Sequence, residues 1–276
     1  MTLSDLLKQG TGTLESACVE NASNECRWLL QSVIDLSSAK LLANKNETVS
    51  AREEKIFFEK INERANGRPL AYIIGLWNFY GRDFYTGEGV LIPRPETEML
   101  VDFALDYLKG RQNPVVIDLC AGTGCIGLTV ACERPDADVL LVEKYNGAIK
   151  YLRKNIASLG VKNATVLQAD ILKTEELILP RADIILSNPP YINSRDIPGL
   201  DREVRFEPET ALDGGEDGLK FYRALAEIRK KNGCVTMALE CAENQGEELK
   251  EIFESGEILK DFNDKDRFVK VRQWQR

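Results

Sequence analysis

The chain is predicted to fold as an α/β protein. It should have a mostly parallel, seven-stranded sheet covered by helices on both faces, ending in an antiparallel pair, with a small helical bundle in front. Three observations carry this expectation. From residue 114 onward, short apolar β-branched runs alternate with helical patterns, the signature of strand–helix–strand units and of a parallel sheet. The last two strand-like runs, near 257–262 and 267–272, have no helix between them, so they should pair antiparallel. Residues 1 to about 75 carry helical periodicity without a strand signal. The expected organisation is an N-terminal helical domain (1–75), a β-hairpin linker (76–92) and an α/β domain (93–276).

The elements follow in order. Leu3, Leu6 and Leu7 recur at helical spacing until Gly10 and Gly12 interrupt them. Ser23-Asn24-Glu25 opens a second helix with Cys26, Leu29, Leu30, Val33 and Ile34 on one face. Ser37 caps a short third helix through Leu42. Ser50, with Glu53 three residues on, is a capping box for a fourth. The aromatic-rich, glycine-punctuated stretch Leu76 to Tyr85 suits a hairpin. In Pro93-Arg94-Pro95 the prolines hold the chain extended, and a helix then carries Leu100, Val101, Ala104, Leu105 and Leu108. Glu96 and Glu98 at its start fit the helix dipole. Arg94, held between two prolines, should aim its guanidinium outward toward a ligand or partner. Strands are expected at 114–119, 137–143, 164–168, 182–187 and 234–240, with helices at 126–132, 148–159, 219–230 and 243–253.

Composition narrows the chemistry. The 276 residues carry a net charge of −8, which argues against a broad basic face for nucleic acid. No uninterrupted apolar stretch reaches membrane-spanning length, and the first residues do not read as a signal peptide. Seven cysteines without a C-x-x-C pair read as reduced residues of a cytoplasmic protein rather than disulfides or metal ligands. No histidine is present. That excludes Ser-His-Asp and Cys-His catalysis and imidazole zinc sites, and favours chemistry done by positioning.

In a sheet of this kind ligands bind at the carboxyl ends of the strands. Those ends hold Asp118, Glu143, Asp170 and Asn188. Ala121-Gly122-Thr123-Gly124-Cys125-Ile126-Gly127 is a G-x-G-x-x-G loop between a strand and a helix, with Glu143 about twenty residues on where a ribose-binding acid belongs. Formally this fits a nicotinamide dehydrogenase. Asp118 at the strand end would repel a pyrophosphate but welcome a sulfonium and an α-amino group. Asp170 suits an adenine amine. The acids therefore favour S-adenosylmethionine, although Asp118 also reads as a cap on the loop amides and Asp170 as a cap on the next turn. Ser187-Asn188-Pro189-Pro190-Tyr191 ends a buried strand on a stiff corner. There the Asn188 side chain and the Asn188 and Pro189 carbonyls offer acceptors to a planar NH2 group, and Tyr191 offers a ring to pack against its plane.

Pro69 to Gly75, Phe79-Tyr80-Gly81, Val90 to Glu98 (VLIPRPETE), the glycine loop, Asn188 to Ile192 (NPPYI) and Glu203 to Leu219 (EVRFEPETALDGGEDGL) together resemble the protein-(glutamine-N5) methyltransferases. They resemble most the branch acting on peptide chain release factors. NPPY alone is shared with amino-methyltransferases of DNA, RNA and protein; the combination is far more specific. The resemblance implies a Rossmann-like class I methyltransferase fold, with methylation of the glutamine side-chain nitrogen in the Gly-Gly-Gln loop of release factors. It implies cofactor contacts from Cys120 to Gly124, at Glu143, near Asp170 and Ile171 and at Asn188, with substrate glutamine contacts along Asn188 to Tyr191. The loop departs from the common D-L-G-T-G-S-G at Cys120 and Ala121.

The mechanism expected is in-line transfer of a methyl group from S-adenosylmethionine, leaving S-adenosylhomocysteine. Asn188 Oδ1 and the Pro189 carbonyl would hold the two amide hydrogens. The expected partner is a release factor, with no membrane or direct nucleic-acid partner and a monomeric state. Gly214-Gly215 and Gly218 form either a helix entry or the rim where a peptide loop enters. Arg202 and Arg205 read by default as solvated charge. Rival readings are the same chemistry on a ribosomal-protein glutamine, amino-methylation of a nucleic-acid base, the dehydrogenase, and a catalytically idle cofactor-binding module.

Overall fold

A computed structural model describes residues 1–34, 36–233, 235–254 and 256–272. By its internal contacts the chain forms two units, Met1–Leu76 with Asp201–Phe206, and Trp77–Leu200 with Glu207–Arg276.

The first unit is helical: α1 (Leu3–Ser16), α2 (Ala22–Gln31), α3 (Ser38–Ala43), α4 (Ala51–Ala65) and α5 (Leu70–Ile74). The Ser50–Glu53 capping box forms as expected, and Thr2 with Asp5 makes a second one at α1. Gly10 and Gly12 do not interrupt α1, contrary to the sequence expectation. A Cβ on Gly10 would stand 2.7 Å from Phe57 Cζ and 2.8 Å from Cys26 Sγ. Glycine is there because two other helices press against that point, and the packing outweighs its poor helix propensity. Arg64, 4% exposed, is paired with Glu25 and, at 2.6 Å, with Glu203, so the short 201–206 segment is ionically tied into this unit.

The boundary falls one residue into a hairpin of β1 (Leu76–Phe79) and β2 (Arg82–Tyr85), the rest of which belongs to the second unit. The hairpin's two-residue turn has both centres left-handed, Tyr80 at φ 52° and Gly81 at φ 71°, the geometry that matches strand twist. After α6 (Glu98–Tyr107) come β3 (Val115–Leu119), α7 (Cys125–Glu133), β4 (Asp138–Glu143), α8 (Asn146–Leu159), β5 (Ala164–Gln168), β6 (Ile184–Ser187), α9 (Lys220–Lys231), β7 (Thr236–Glu240), α10 (Gly246–Ile252), β8 (Gly256–Lys260) and β9 (Asp266–Val271). The sheet order is β5-β4-β3-β6-β7-β9-β8. The first five strands are parallel, and β9 pairs antiparallel with β7 and β8, as the missing helix between the last two strands implies. Cys234, the expected start of the fifth of these strands, lies outside the described residues. Two apolar clusters cover the sheet. Val116, Leu128, Leu141 and Leu186 belong to one, and Ile117, Ile185, Tyr222 and Met237 to the other. Burial on both faces is why these strands read as continuous apolar runs. Among the described residues no helix is long and apolar enough to cross a membrane.

Candidate functional site

Register decides which residues meet. Leu119 is aligned with Val142 on one side and with Ser187 on the other, so Cys120, Glu143 and Asn188 lie level, each one step further along its strand. The strand order reverses at β3, and a crevice opens there. It encloses about 910 Å³ of empty space, open solvent at its mouth included. Of the residues singled out from the sequence, Cys120, Ala121, Gly122, Thr123, Glu143, Asp170, Ile171, Asn188, Pro190 and Arg94 line it.

Glu143 is the central carboxylate. Its Oε2 accepts the Gly122 N–H at 2.9 Å, and Oε1 accepts those of Lys144 at 2.7 Å and Tyr145 at 2.8 Å. The loop amide that would cradle a pyrophosphate is therefore already taken by a carboxylate. That is an argument against a dinucleotide that does not depend on Asp118, since a diphosphate would have to displace a charge-assisted bond. Asp170 Oδ1 accepts the Leu172 N–H at 3.0 Å, and Oδ2 meets Lys144 Nζ at 2.9 Å. Burial works upward on this carboxyl, but Lys144 and the Leu172 amide together hold it below its ordinary value.

Four expected residues, Asp118, Gly124, Pro189 and Tyr191, do not line the crevice. Asp118 is 0% exposed. Its Oδ2 accepts the Gly127 N–H at 2.9 Å, and its Oδ1 is buried without a partner. Burial first, and the Glu143 charge to a lesser degree, push it up to about 7 against the pull of the Gly127 amide. Asp118 thus props α7 from below rather than facing a cation, which corrects the view of an acidic crevice wall. Gly124, at φ 81°, is needed for fit: a Cβ there would lie 2.3 Å from Leu152 Cδ1. Pro189 is buried. Tyr191 packs its ring on the second apolar cluster and points its hydroxyl at Glu240 Oε1, 3.4 Å away. The expected ring against a substrate plane is not what Tyr191 provides.

Arg94 faces the crevice but is not free. It pairs with the buried Glu207, which also accepts the Ile92 N–H at 2.9 Å. The guanidinium therefore clamps the 207–211 stretch to the proline turn, and the outward aim inferred for it is corrected accordingly. Sequence reasoning missed Thr97, Phe221 and the Pro208–Ala211 rim of the crevice. It also missed Glu240 behind it. Their signal was present in the EPET segment and in a second apolar strand that, like β4, ends in glutamate.

Cys120 adopts φ 61°, where a Cβ is strained by about 1–2 kcal/mol. We expect Cys120→Gly to be more stable than Cys120→Ala by about 0.5–1 kcal/mol in denaturant unfolding. Equal midpoints would show that the left-handed backbone is not strained. Burial and the nearby Glu143 charge push the Cys120 thiol well up, so it lines the crevice as a neutral group.

Comparison with known proteins adds an independent line. Residues 5–75 match the family model described as PrmC N-terminal domain, and residues 97–200 the methyltransferase small domain. The chain is 36% identical to the release factor glutamine methyltransferase of Bacillus cereus over 252 residues, covering 86% of this chain and 88% of the relative. It is 34% identical to the protein of that name in Clostridium acetobutylicum, covering 98% of each. Among solved structures, the hMettl16 catalytic domain in complex with the MAT2A 3′UTR hairpin 1 superposes with a TM-score of 0.56 at 14% identity, covering 85% of each chain. At that identity the likeness speaks for the fold alone.

Proposed function

From its membership of the release factor glutamine methyltransferase family, we propose that this chain methylates the side-chain nitrogen of the glutamine in the Gly-Gly-Gln loop of peptide chain release factors. The cofactor would be S-adenosylmethionine. The observation that carries the reading is the position of Asn188, on a rigid Pro-Pro corner, level with Glu143 across the intervening strand β3 and lining the same crevice.

The residues fit the cofactor. Gly122, at φ 56° with its nearest outside atom 3.7 Å from a Cβ placed there, leaves room for a close approach. Glu143 Oε2, which accepts only the Gly122 amide, keeps a lone pair for a ribose hydroxyl. Asp170 stands ready for an adenine amine, and Ile171, Ala148 and Phe221 supply apolar walls. S-adenosylmethionine, when bound, supplies an electrophilic methyl group. The chain's own residues address the other reactant. An amide nitrogen is a poor nucleophile because its lone pair is delocalised into the carbonyl. Asn188 Oδ1 accepts one amide hydrogen, and the Pro189 carbonyl, which belongs to a buried residue and is not part of the crevice wall, would take the other once the substrate amide is seated against Asn188. Among the described residues no backbone N–H outside the helices and strands donates to the Pro189 carbonyl. Two acceptors fix the nitrogen's direction and push electron density onto it, and orientation of this kind supplies much of a rate enhancement. The proton leaves after transfer, so no histidine is needed.

The test is incubation with labelled S-adenosylmethionine, a release factor, ribosomal proteins and a nucleic-acid substrate, with the modified residue located by mass. Label on the Gly-Gly-Gln glutamine is expected. Label on a ribosomal protein or a base alone, or calorimetric binding of NAD in preference to S-adenosylmethionine, would sink the reading.

A further inference from the structure

Ser187 is aligned with Leu239, so Asn188 lies level with Glu240, the last residue of β7. Glu240 is 1% exposed. The Thr97 hydroxyl donates to Glu240 Oε2 at 2.6 Å, and Asn188 Nδ2 donates to Thr97 Oγ1 at 3.3 Å. A carboxylate only accepts, and a threonine has one hydroxyl hydrogen. With that hydrogen committed to Glu240, Thr97 presents only lone pairs to Asn188. The NH2 half of the Asn188 amide is the half that can answer them, so Oδ1 is turned the other way. Asn188 and Thr97 both line the crevice.

Resting on the reading above, we propose that Thr97 and Glu240 are positioning residues: a two-link hydrogen-bond chain, anchored on a buried carboxylate, that fixes which end of the Asn188 amide meets the methyl-accepting amide. An Asn188 side chain rotated by half a turn would set NH2 against NH2 and bind nothing. The carboxylate's charge sets the polarity of the chain. A protonated Glu240 could donate to Thr97, whose own hydrogen would then favour Asn188 Oδ1 and the wrong end of the amide would face outward. The groups facing Glu240 are Thr97 and Glu96 ahead of α6, Cys125 on α7, Tyr191 after β6, Cys241 after β7, and Arg267 on β9. The Tyr222 hydroxyl from α9 donates to its backbone carbonyl at 2.7 Å. Burial pushes the carboxyl up to about 7, with Thr97 and Arg267 pulling down and Glu96 pushing further up. Turnover in the wild type should therefore fall as pH drops through about 7.

The experiment measures kcat and KM for release-factor methylation, and the Kd for S-adenosylmethionine by calorimetry, in the full chain and in Thr97→Val, Thr97→Ser and Glu240→Gln. Thr97→Val should lower kcat by about 10- to 100-fold, with KM and Kd within about threefold of the wild type. Thr97→Ser, which keeps the hydroxyl, should stay within about threefold. Glu240→Gln should lose turnover and also lose the limb near pH 7. Three results would overturn the proposal: an unaffected Thr97→Val, a serine variant as impaired as the valine one, or cofactor affinity falling in step with kcat. A wild-type chain that binds the cofactor yet leaves release factors unmodified overturns the substrate reading itself, and the wild-type control identifies that case.

Discussion

Asn188→Ala is expected to lower kcat for methyl transfer to a release factor by about 10²–10³-fold, while Kd for S-adenosylmethionine moves by less than about threefold. The asymmetry follows from what Asn188 touches. In the proposed reading the cofactor is held by Glu143, Asp170 and the glycine loop, which line the crevice and are unchanged in the variant. The acceptor amide loses the group that orients its nitrogen, and water entering the vacated space is not held at that angle. An interaction needed to reach the transition state shows in kcat and leaves ground-state binding largely alone. Retained turnover would remove Asn188 from the mechanism, and a parallel collapse of cofactor affinity would reassign it to cofactor binding.

Asp118→Asn should stabilise the protein at alkaline pH and leave it nearly unchanged in acid. The carboxyl has an ordinary value of 3.8 and is pushed up to about 7 by burial. For an acid raised on folding, the stability contribution is complete below the unfolded value and is lost as pH rises through the folded one. The folded chain thus loses ground to the unfolded chain between about pH 4 and 7, where the unfolded carboxylate ionises freely and the buried one does not. Asparagine has nearly the same shape and no charge to bury, and its Oδ1 can still accept the Gly127 amide. The advantage of the variant at pH 8 should be about 2–4 kcal/mol in denaturant unfolding, shrinking toward zero near pH 4. A difference that does not change with pH would mean that Asp118 stays ionised in the fold, paired with something that satisfies its orphaned oxygen.

The layered α/β architecture was legible because its cause is local. Runs such as Ile184-Ile185-Leu186 and Val116-Ile117 are buried on both faces, so their apolar continuity survives in the sequence. The same continuity hides direction. With no polar face to contrast, nothing along Val115–Leu119 shows that Asp118 turns toward α7 rather than toward the crevice, and that required its bond with the Gly127 N–H to be seen. The glycine loop, Glu143 and Asn188 were legible from their spacing: a G-x-G-x-x-G loop after a strand, an acid about twenty residues on, and an asparagine on a Pro-Pro corner. Thr97 and Glu240 were not, since their relation spans 143 residues and exists only through the alignment of β6 with β7. Gly10 misled for a related reason: its neighbours Phe57 and Cys26 lie far off in the chain, and a helix breaker and a close-packing contact are spelled the same way.

The membership of Asp201–Phe206 in the helical unit means that this unit is not encoded by one continuous piece of chain. A fragment ending at Leu76 would lack Glu203, one of the two carboxylates on Arg64, and Arg202, whose Nε lies 2.5 Å from where a Cβ on Gly67 would stand. Truncation at the obvious seam therefore produces an incomplete module. A recombinant helical piece meant to stand alone would need the hexapeptide grafted back through a short loop.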